Sequence, residues 1–273
     1  MRIAANISML FTELALPQRF AAAREAGFDG VEIQFPYEHE AEALAAAARA
    51  AGMPVVLINV PAGDLAAGDV GLGALPGRRA EFRAAVARCI PYARALGVRR
   101  VNVLAGRPGP AADPAACHAA LVGNLRHAAE CLAPSGIRVM VEPVNPHDVP
   151  GFFLDRLAPA VRAVREAGHP GLGVQFDLYH MARTEPDLGA AIAEAGGLIG
   201  HVQFADTPGR HEPFTGGIDF AGALAALARA GYADWLAAEY RPAGRTQDGL
   251  GWLPRLRAAI QGAGSGNSRS SAM

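Results

Sequence analysis

The chain has 273 residues, 51% of them apolar and 19% charged, with a formal net charge of −1. That length and composition belong to a soluble globular protein with a large core, and the balanced charge supplies no electrostatic footprint for nucleic acid or an anionic membrane. Every fixed positive side chain is an arginine; the absence of lysine excludes a Schiff-base aldolase, a P-loop NTPase and pyridoxal-phosphate chemistry, each of which needs a lysine amine.

The N-terminal stretch MRIAANISMLF lacks the long apolar segment and small-residue cleavage site of a signal peptide, and no apolar run is long enough to span a bilayer. Cys89, Cys117 and Cys131 are odd in number and unhelpfully spaced for a disulfide framework or a zinc knuckle. They read as reduced thiols on helices, and the expectation is a cytoplasmic protein.

In chain order, short β-favouring runs alternate with Ala-rich helical segments. The strand candidates are RIAANIS from Arg2, GVEIQF from Gly30, PVVLIN from Pro54, RRVNVLA from Arg99, RVMVEPV from Arg138, LGVQFD from Leu172, GHVQFA from Gly200 and WLAAEY from Trp235. Helical patterns such as PQRFAAAREAGF, EFRAAVARCIPYARALG and DFAGALAALARAGY lie between them, several closing near a Gly. Eight βα units with near-continuous apolar strands call for a parallel sheet covered by helices, and eight is the number that closes a barrel. The prediction is an α/β protein, a single (β/α)₈ TIM barrel over residues 1–261. A doubly wound open sheet is the structural alternative, but no G-x-G-x-x-G turn follows the first strand. The Gly/Pro-rich stretch from Pro61 to Arg79 reads as a loop over the barrel mouth, and the Gly/Ser-rich tail, 262–273, as disordered.

Active sites of such barrels sit where strands end and βα loops begin. There the last four strands carry Glu142 in VEPVN, Asp177 in QFDLYH, Gln203 in HVQFAD and Glu239 in AAEYRP. Any one of these residues could be a helix cap or a satisfied core amide, and Asp177 before LYHMA is a fair cap candidate. Four in successive strands at one depth point instead to a shared pocket. Unpaired buried carboxylates are costly, and a divalent cation removes that cost. An all-oxygen ligand set of Glu142, Asp177, Gln203 and Glu239 suits a hard ion, Mg²⁺ or Mn²⁺, better than zinc. His180, three residues past Asp177, is placed on the rim, where it could donate a hydrogen bond to a substrate oxygen. Arg210 and His211 in TPGRHEP follow the seventh strand; they read either as a solvated turn or as capture of an anionic group by Arg's planar fork.

At these residues the sequence resembles the hydroxypyruvate isomerase family, within a larger group of metal-dependent barrel isomerases and sugar epimerases. The resemblance runs through AANISMLFTE, FPYE, ALPGR, EPVN, PGFFL, QFDLYH, GHVQ, PGRHEP and EYRPAGRTQDGLGW, stopping at the Gly/Ser tail. It implies the same four ligands, with Glu142 and Glu239 as the acid/base pair. Two positions depart from the pattern: Asn102, where His is more frequent, and Asp206, where a small residue is usual. The EPVN…DVPGFF stretch is closer to the branch that isomerises 2-oxo-tetronates.

The resemblance implies aldose–ketose isomerisation of a small hydroxy-oxo acid through a cis-enediolate, with hydroxypyruvate giving tartronate semialdehyde. His180 would polarise a substrate oxygen and Arg210 would meet the carboxylate. A 2-oxo-tetronate isomerase or a ketose 3-epimerase is the alternative substrate assignment. A non-catalytic metal-dependent sugar-acid binder is a further rival, and so is a phosphodiesterase like the abasic-site endonucleases. Those endonucleases use a His-rich zinc centre, whereas Asn59 and Asn102 end the third and fourth strands here. The expected partner is the small-molecule substrate, with no nucleic acid and no membrane; self-association into a homo-oligomer is left open.

Overall fold

Eight strands alternate with helices: β1 (Arg2–Asn6), β2 (Gly30–Ile33), β3 (Val55–Asn59), β4 (Arg100–Val103), β5 (Arg138–Val141), β6 (Leu172–Asp177), β7 (Ile199–Phe204) and β8 (Trp235–Ala238). Every expected strand is present and starts within one residue of its sequence-based position. In this computed structural model, which describes residues 1–267, each strand pairs in parallel with its neighbours in sequence and β1 closes onto β8. The barrel is therefore shut, and the open doubly wound alternative is ruled out. Around it lie α1 (Leu16–Glu25), α2 (Ala41–Ala50), α3 (Arg79–Ala95), α4 (Pro114–Leu132), α5 (Leu157–Ala167), the short α6 (Leu178–Ala182), α7 (Leu188–Ala195), α8 (Phe220–Arg229) and α9 (Trp252–Asn267). Among the described residues no helix is long and apolar enough to cross a membrane.

The period-two alternation of the strands separates two layers. Ile3, Ala5, Val31, Ile33, Val101, Val103, Val174, Phe176, Val202, Phe204, Leu236 and Ala238 join the large core between barrel and helices. Ala4, Met140, Trp235 and Ala237, on the opposite parity, form a separate small cluster that plugs the barrel interior. Two residues further along the same inward faces come Asn6, Glu142 and Glu239. By the same parity Glu32, Asn102, Gln175, Asp177, His201 and Gln203 face inward too, and all of these side chains are buried. The barrel is apolar below and polar above.

The stretch after β3 is a loop as expected, and it is stitched to the segment following β4. Gly71 bridges Ala105, at φ +134 and so close to the Leu104 carbonyl that any Cβ would collide with backbone. The expected tail is corrected by the structure. Helix α9 runs to Asn267, so residues 262–267 are helical, and only 268–273 lie outside the described residues. Trp252, Leu253 and Leu256 bury against the core, with Ala259, Ile260 and Ala263 packed beside them. Once that face is anchored, each further residue adds a backbone hydrogen bond, and tertiary packing overrides the weak helix propensity of Gly and Ser.

Candidate active site

Glu142 stands one residue past β5, Asp177 ends β6, Gln203 lies in β7 and Glu239 follows β8, so the barrel carries all four to its C-terminal mouth. Glu142 Oε2 accepts from Asn102 Nδ2 and from Gln175 Nε2, both at 2.9 Å. The same Gln175 amide donates to Gln203 Oε1 at 2.6 Å, which ties the two expected ligands together. Asp177 Oδ1 accepts from the Tyr179 amide at 2.8 Å and caps α6, whereas Asp177 Oδ2 is buried without a hydrogen-bond partner. Asp177 is therefore a helix cap on one oxygen and carries an unsatisfied buried oxygen on the other. Glu239 Oε1 accepts from Asn6 at 3.0 Å and from Gln34 at 2.5 Å, and its Oε2 from Arg210 at 2.8 Å.

His180 is buried, not on the rim. Asn145 Oδ1 accepts from the amides of His147 and Asp148, which turns its Nδ2 toward His180 Nδ1 at 2.7 Å. Nδ1 is thus an acceptor, and the proton of the neutral ring sits on Nε2. Burial, with Arg210 and Arg183 nearby, holds the imidazole well below its usual range and so neutral. Nε2–H looks toward Asp177 Oδ2 at 3.6 Å and Glu142 Oε1 at 3.8 Å, too far for hydrogen bonds and with a gap between them. Glu142, Asp177 and His180 bring one potential ligand atom each within 4.8 Å of one another. With its proton on Nε2, His180 faces the gap between the two acids as a donor.

Arg210 is brought into the site, but onto protein carboxylates. Its guanidinium lies 2.8 Å from Glu239 and 3.7 Å from Asp177, over the Tyr179 ring, with its Nε buried and unpartnered. Lysine-free composition therefore does not leave the carboxylates without a cation of the chain's own. Burial pulls this guanidinium down, but Glu239, Asp177 and Glu142 outweigh it and keep it charged. Its loop is held by Asp206, which accepts from the amides of Thr207, Gly216 and Ile218. Those three bonds give Asp206 a structural role in the loop. Arg210 itself is left-handed at φ +58, and its carbonyl accepts from the Arg241 amide at 2.7 Å. His211 turns away: its ring bonds the Arg241 carbonyl and it is exposed, so it belongs to the loop and not to anion capture.

Electrostatically the pocket is loaded. Burial, with Glu239 and Asp177 beside it, raises Glu142 well above the carboxylate range. Burial lifts Asp177 to about 6 against the pull of Arg210, and Glu239 to about 7 against the same pull. Converging acids that resist ionising, one with an orphaned oxygen, suit a divalent cation. With only oxygen donors from Glu142, Asp177, Gln203 and Glu239, they fit a hard one. Asn6, Glu32, Gln34, Asn145, Gln175 and His201 complete the polar lining and were not among the expected site residues. Strand parity alone would have shown Asn6, Glu32, Gln175 and His201, which alternate with apolar neighbours.

Residues 20–256 match the family described as xylose isomerase-like TIM barrel. A 2-oxo-tetronate isomerase of Cupriavidus necator is 43% identical over 252 residues, 92% of this chain and 97% of that protein. A hydroxypyruvate isomerase of Escherichia coli is 40% identical over 257 residues, 94% and 100%. The chain belongs to the hydroxypyruvate isomerase family. It is accordingly an isomerase. The crystal structure of a Brucella melitensis protein called a family 2 AP endonuclease superposes with a TM-score of 0.90 at 40% identity, covering 93% of this chain and 98% of that one. The barrel is thus shared with a protein that carries a different activity name.

Proposed function

We propose that the protein is a metal-dependent aldose–ketose isomerase of a small hydroxy-oxo acid, interconverting hydroxypyruvate and tartronate semialdehyde. The observation that carries this reading is the pair Glu142 and Glu239. These are two buried acids on separate strands, both pushed toward neutrality, facing one pocket with an oriented imidazole donor. A binder needs charge in its pocket but has no use for two proton carriers of this kind.

Glu142, Asp177, Gln203 and Glu239 would hold a divalent cation, Mg²⁺ or Mn²⁺, which supplies Lewis acidity that acidifies the carbon-bound proton and offsets enediolate charge. One of Glu142 and Glu239 takes a proton from the hydroxymethyl carbon of hydroxypyruvate, leaving the cis-enediolate. The same group or its partner returns a proton to the neighbouring carbon; the hydroxyl proton passes from one substrate oxygen to the other, so the product is an isomer with no redox partner. His180 Nε2–H donates to a substrate oxygen and steadies the developing charge. Arg210, a planar cation with an unpartnered Nε–H, receives the substrate carboxylate.

The 43% identity to a 2-oxo-tetronate isomerase favours a second substrate assignment by the same chemistry. The endonuclease name of the Brucella protein does not alter the reading. Asn102 is bonded to Glu142 where another imidazole would be required, and the chain carries no net positive charge for DNA. The deciding experiment incubates metal-stripped and Mn²⁺-loaded protein with hydroxypyruvate, 2-oxo-tetronates and ketoses in D₂O. Deuterium should enter the substrate carbon only with metal present, and EDTA should abolish exchange. Exchange at full rate in stripped protein overturns the metal, and no exchange with any of the panel overturns the isomerase.

A further inference from the structure

Beneath the pocket, inside the barrel, lies a carboxylate that the reaction does not use. Glu32, on β2, is fully buried, and so is His201, on β7. Three N–H donors surround Glu32: Gln203 Nε2 at 2.6 Å and Asn6 Nδ2 at 2.8 Å on Oε1, and His201 Nε2 at 2.8 Å on Oε2. The buried His201 Nδ1 has no partner, so the engaged edge of that ring is the one on Glu32. A carboxylate buried against an imidazole is poor support for a fold, because desolvation offsets its attraction. Its position directly under Gln203 gives it another use.

A glutamine amide is nearly symmetric in shape, and its neighbours decide which end faces a site. Glu32 Oε1 faces the NH₂ end of Gln203 and accepts from it. Gln175, itself oriented by donating to Glu142, takes the oxygen end at 2.6 Å. Flipping Gln203 would set donor against donor and oxygen against oxygen in a buried space. Only the unflipped amide offers oxygen to a cation. Asn6 also donates to Glu239 at 3.0 Å, so the same Glu32 carboxylate is one side chain away from the second acid of the site.

We propose that Glu32, anchored by His201, is a positioning residue that locks the Gln203 amide with its oxygen toward the cation and links it through Asn6 to Glu239. This rests on the reading of Gln203 as a cation ligand. The test is Mn²⁺ affinity of the metal-stripped full-length protein, by calorimetry, for wild type, Gln203→Leu, Glu32→Leu, the double variant and Glu32→Gln. Each Leu variant should weaken binding by about 10–100-fold, the size expected when a ligand's orienting partner is lost. The double variant should bind no more weakly than either single one, because both remove the same oriented oxygen. Glu32→Gln, whose oxygen still accepts from Gln203, should recover most of the affinity. A purely structural Glu32 would lower the melting temperature and leave the affinity of folded protein unchanged. Wild-type affinity in Glu32→Leu, or losses that add independently, overturns the proposal alone. Unchanged affinity in Gln203→Leu overturns the ligand reading, and the proposal with it. Should Glu32→Leu not fold, the side-chain amide protons of Gln203 in metal-free wild type, assigned by their absence in Gln203→Leu, carry the test. Protection from solvent exchange supports a locked amide, and free exchange overturns it.

Discussion

Replacing Glu239 with Gln is the sharpest probe of the proposed reaction. Three donors converge on this carboxylate, Asn6 and Gln34 on one oxygen and Arg210 on the other. An amide has one oxygen and one NH₂, so one of these contacts becomes donor against donor. The loss of a charge-assisted hydrogen bond is worth about 1.5–3 kcal/mol. Against it stands relief of burying a carboxylate that resists ionisation, so the net change in stability should be about 1 kcal/mol, roughly 2–4 °C in a chain of this size. Catalysis should suffer far more. The amide oxygen can still face a cation but takes no proton at neutral pH, and general acid–base catalysis is worth about 10²–10⁴-fold. The assay is deuterium incorporation into hydroxypyruvate, run beside bound-metal analysis and a melting curve. Turnover should fall by at least two decades, on the order of 3 kcal/mol in barrier, while metal stays bound. A Glu239→Gln protein that holds metal and exchanges at the wild-type rate refutes Glu239 as a proton carrier and leaves Glu142 as the only base.

Asp177→Asn keeps the oxygen that caps α6 but replaces the unpartnered oxygen with NH₂, so Mn²⁺ affinity should drop by about tenfold or more with little loss of helix order; equal affinity by calorimetry would make Asp177 a cap alone. Gln203→Glu sets a carboxylate against Glu32, now a hydrogen-bond partner at 2.6 Å, and should destabilise the metal-free protein by a few kcal/mol in a denaturant melt; an unchanged midpoint would mean the Glu32 contact is absent in solution. The pH dependence has a definite sign. Asp177 at about 6 and Glu239 at about 7 bind protons in the folded chain that the unfolded chain has released, so their contribution to metal-free stability is full below about pH 4 and falls as pH rises through 7. The loss should reach a few kcal/mol, and bound Mg²⁺ should flatten it; a metal-free melting temperature that rises from pH 5 to 8 contradicts the burial of these acids.

The sequence already carried the barrel and the outline of the site, for a physical reason. Buried parallel strands must be apolar throughout, so Glu142, Asp177, Gln203 and Glu239 stand out where such runs end. Glu32 and His201 were hidden by the same logic, because inside GVEIQF and GHVQFA single polar residues look like tolerated exceptions. Only alternation with neighbours that face the helices, such as Val31 and Ile33 or Val202 and Phe204, shows that they point into the barrel. The pairing of Arg210 with Glu239 was not legible at all. It depends on the loop that Asp206 folds and on a left-handed backbone at Arg210, features of tertiary geometry with no periodic signature. The last turns of α9 run against composition in the opposite direction: Gly and Ser favour a tail there, while the helix anchored by Trp252, Leu253 and Leu256 continues through them.

The completed site also narrows who can move a proton in the proposed reaction. Arginine does not deprotonate, and there is no lysine. His180 has its Nδ1 occupied by Asn145 and is held neutral, so at working pH it donates a hydrogen bond but has no free basic nitrogen facing the substrate. Asp177 spends one oxygen on its helix, and its other, unpartnered oxygen is the one the proposed reaction gives to the cation. That leaves Glu142 and Glu239, which approach the pocket from β5 and β8 and are tied into one network by separate amides, Asn102 and Gln175 for the first, Asn6 and Gln34 for the second. Burial outweighs those donors and favours the protonated form of both acids, so either can keep the proton it takes from carbon. A carboxyl group that holds its proton near neutral pH can return it to the neighbouring carbon of the carbanion in front of it, which is what the second half of an isomerisation requires.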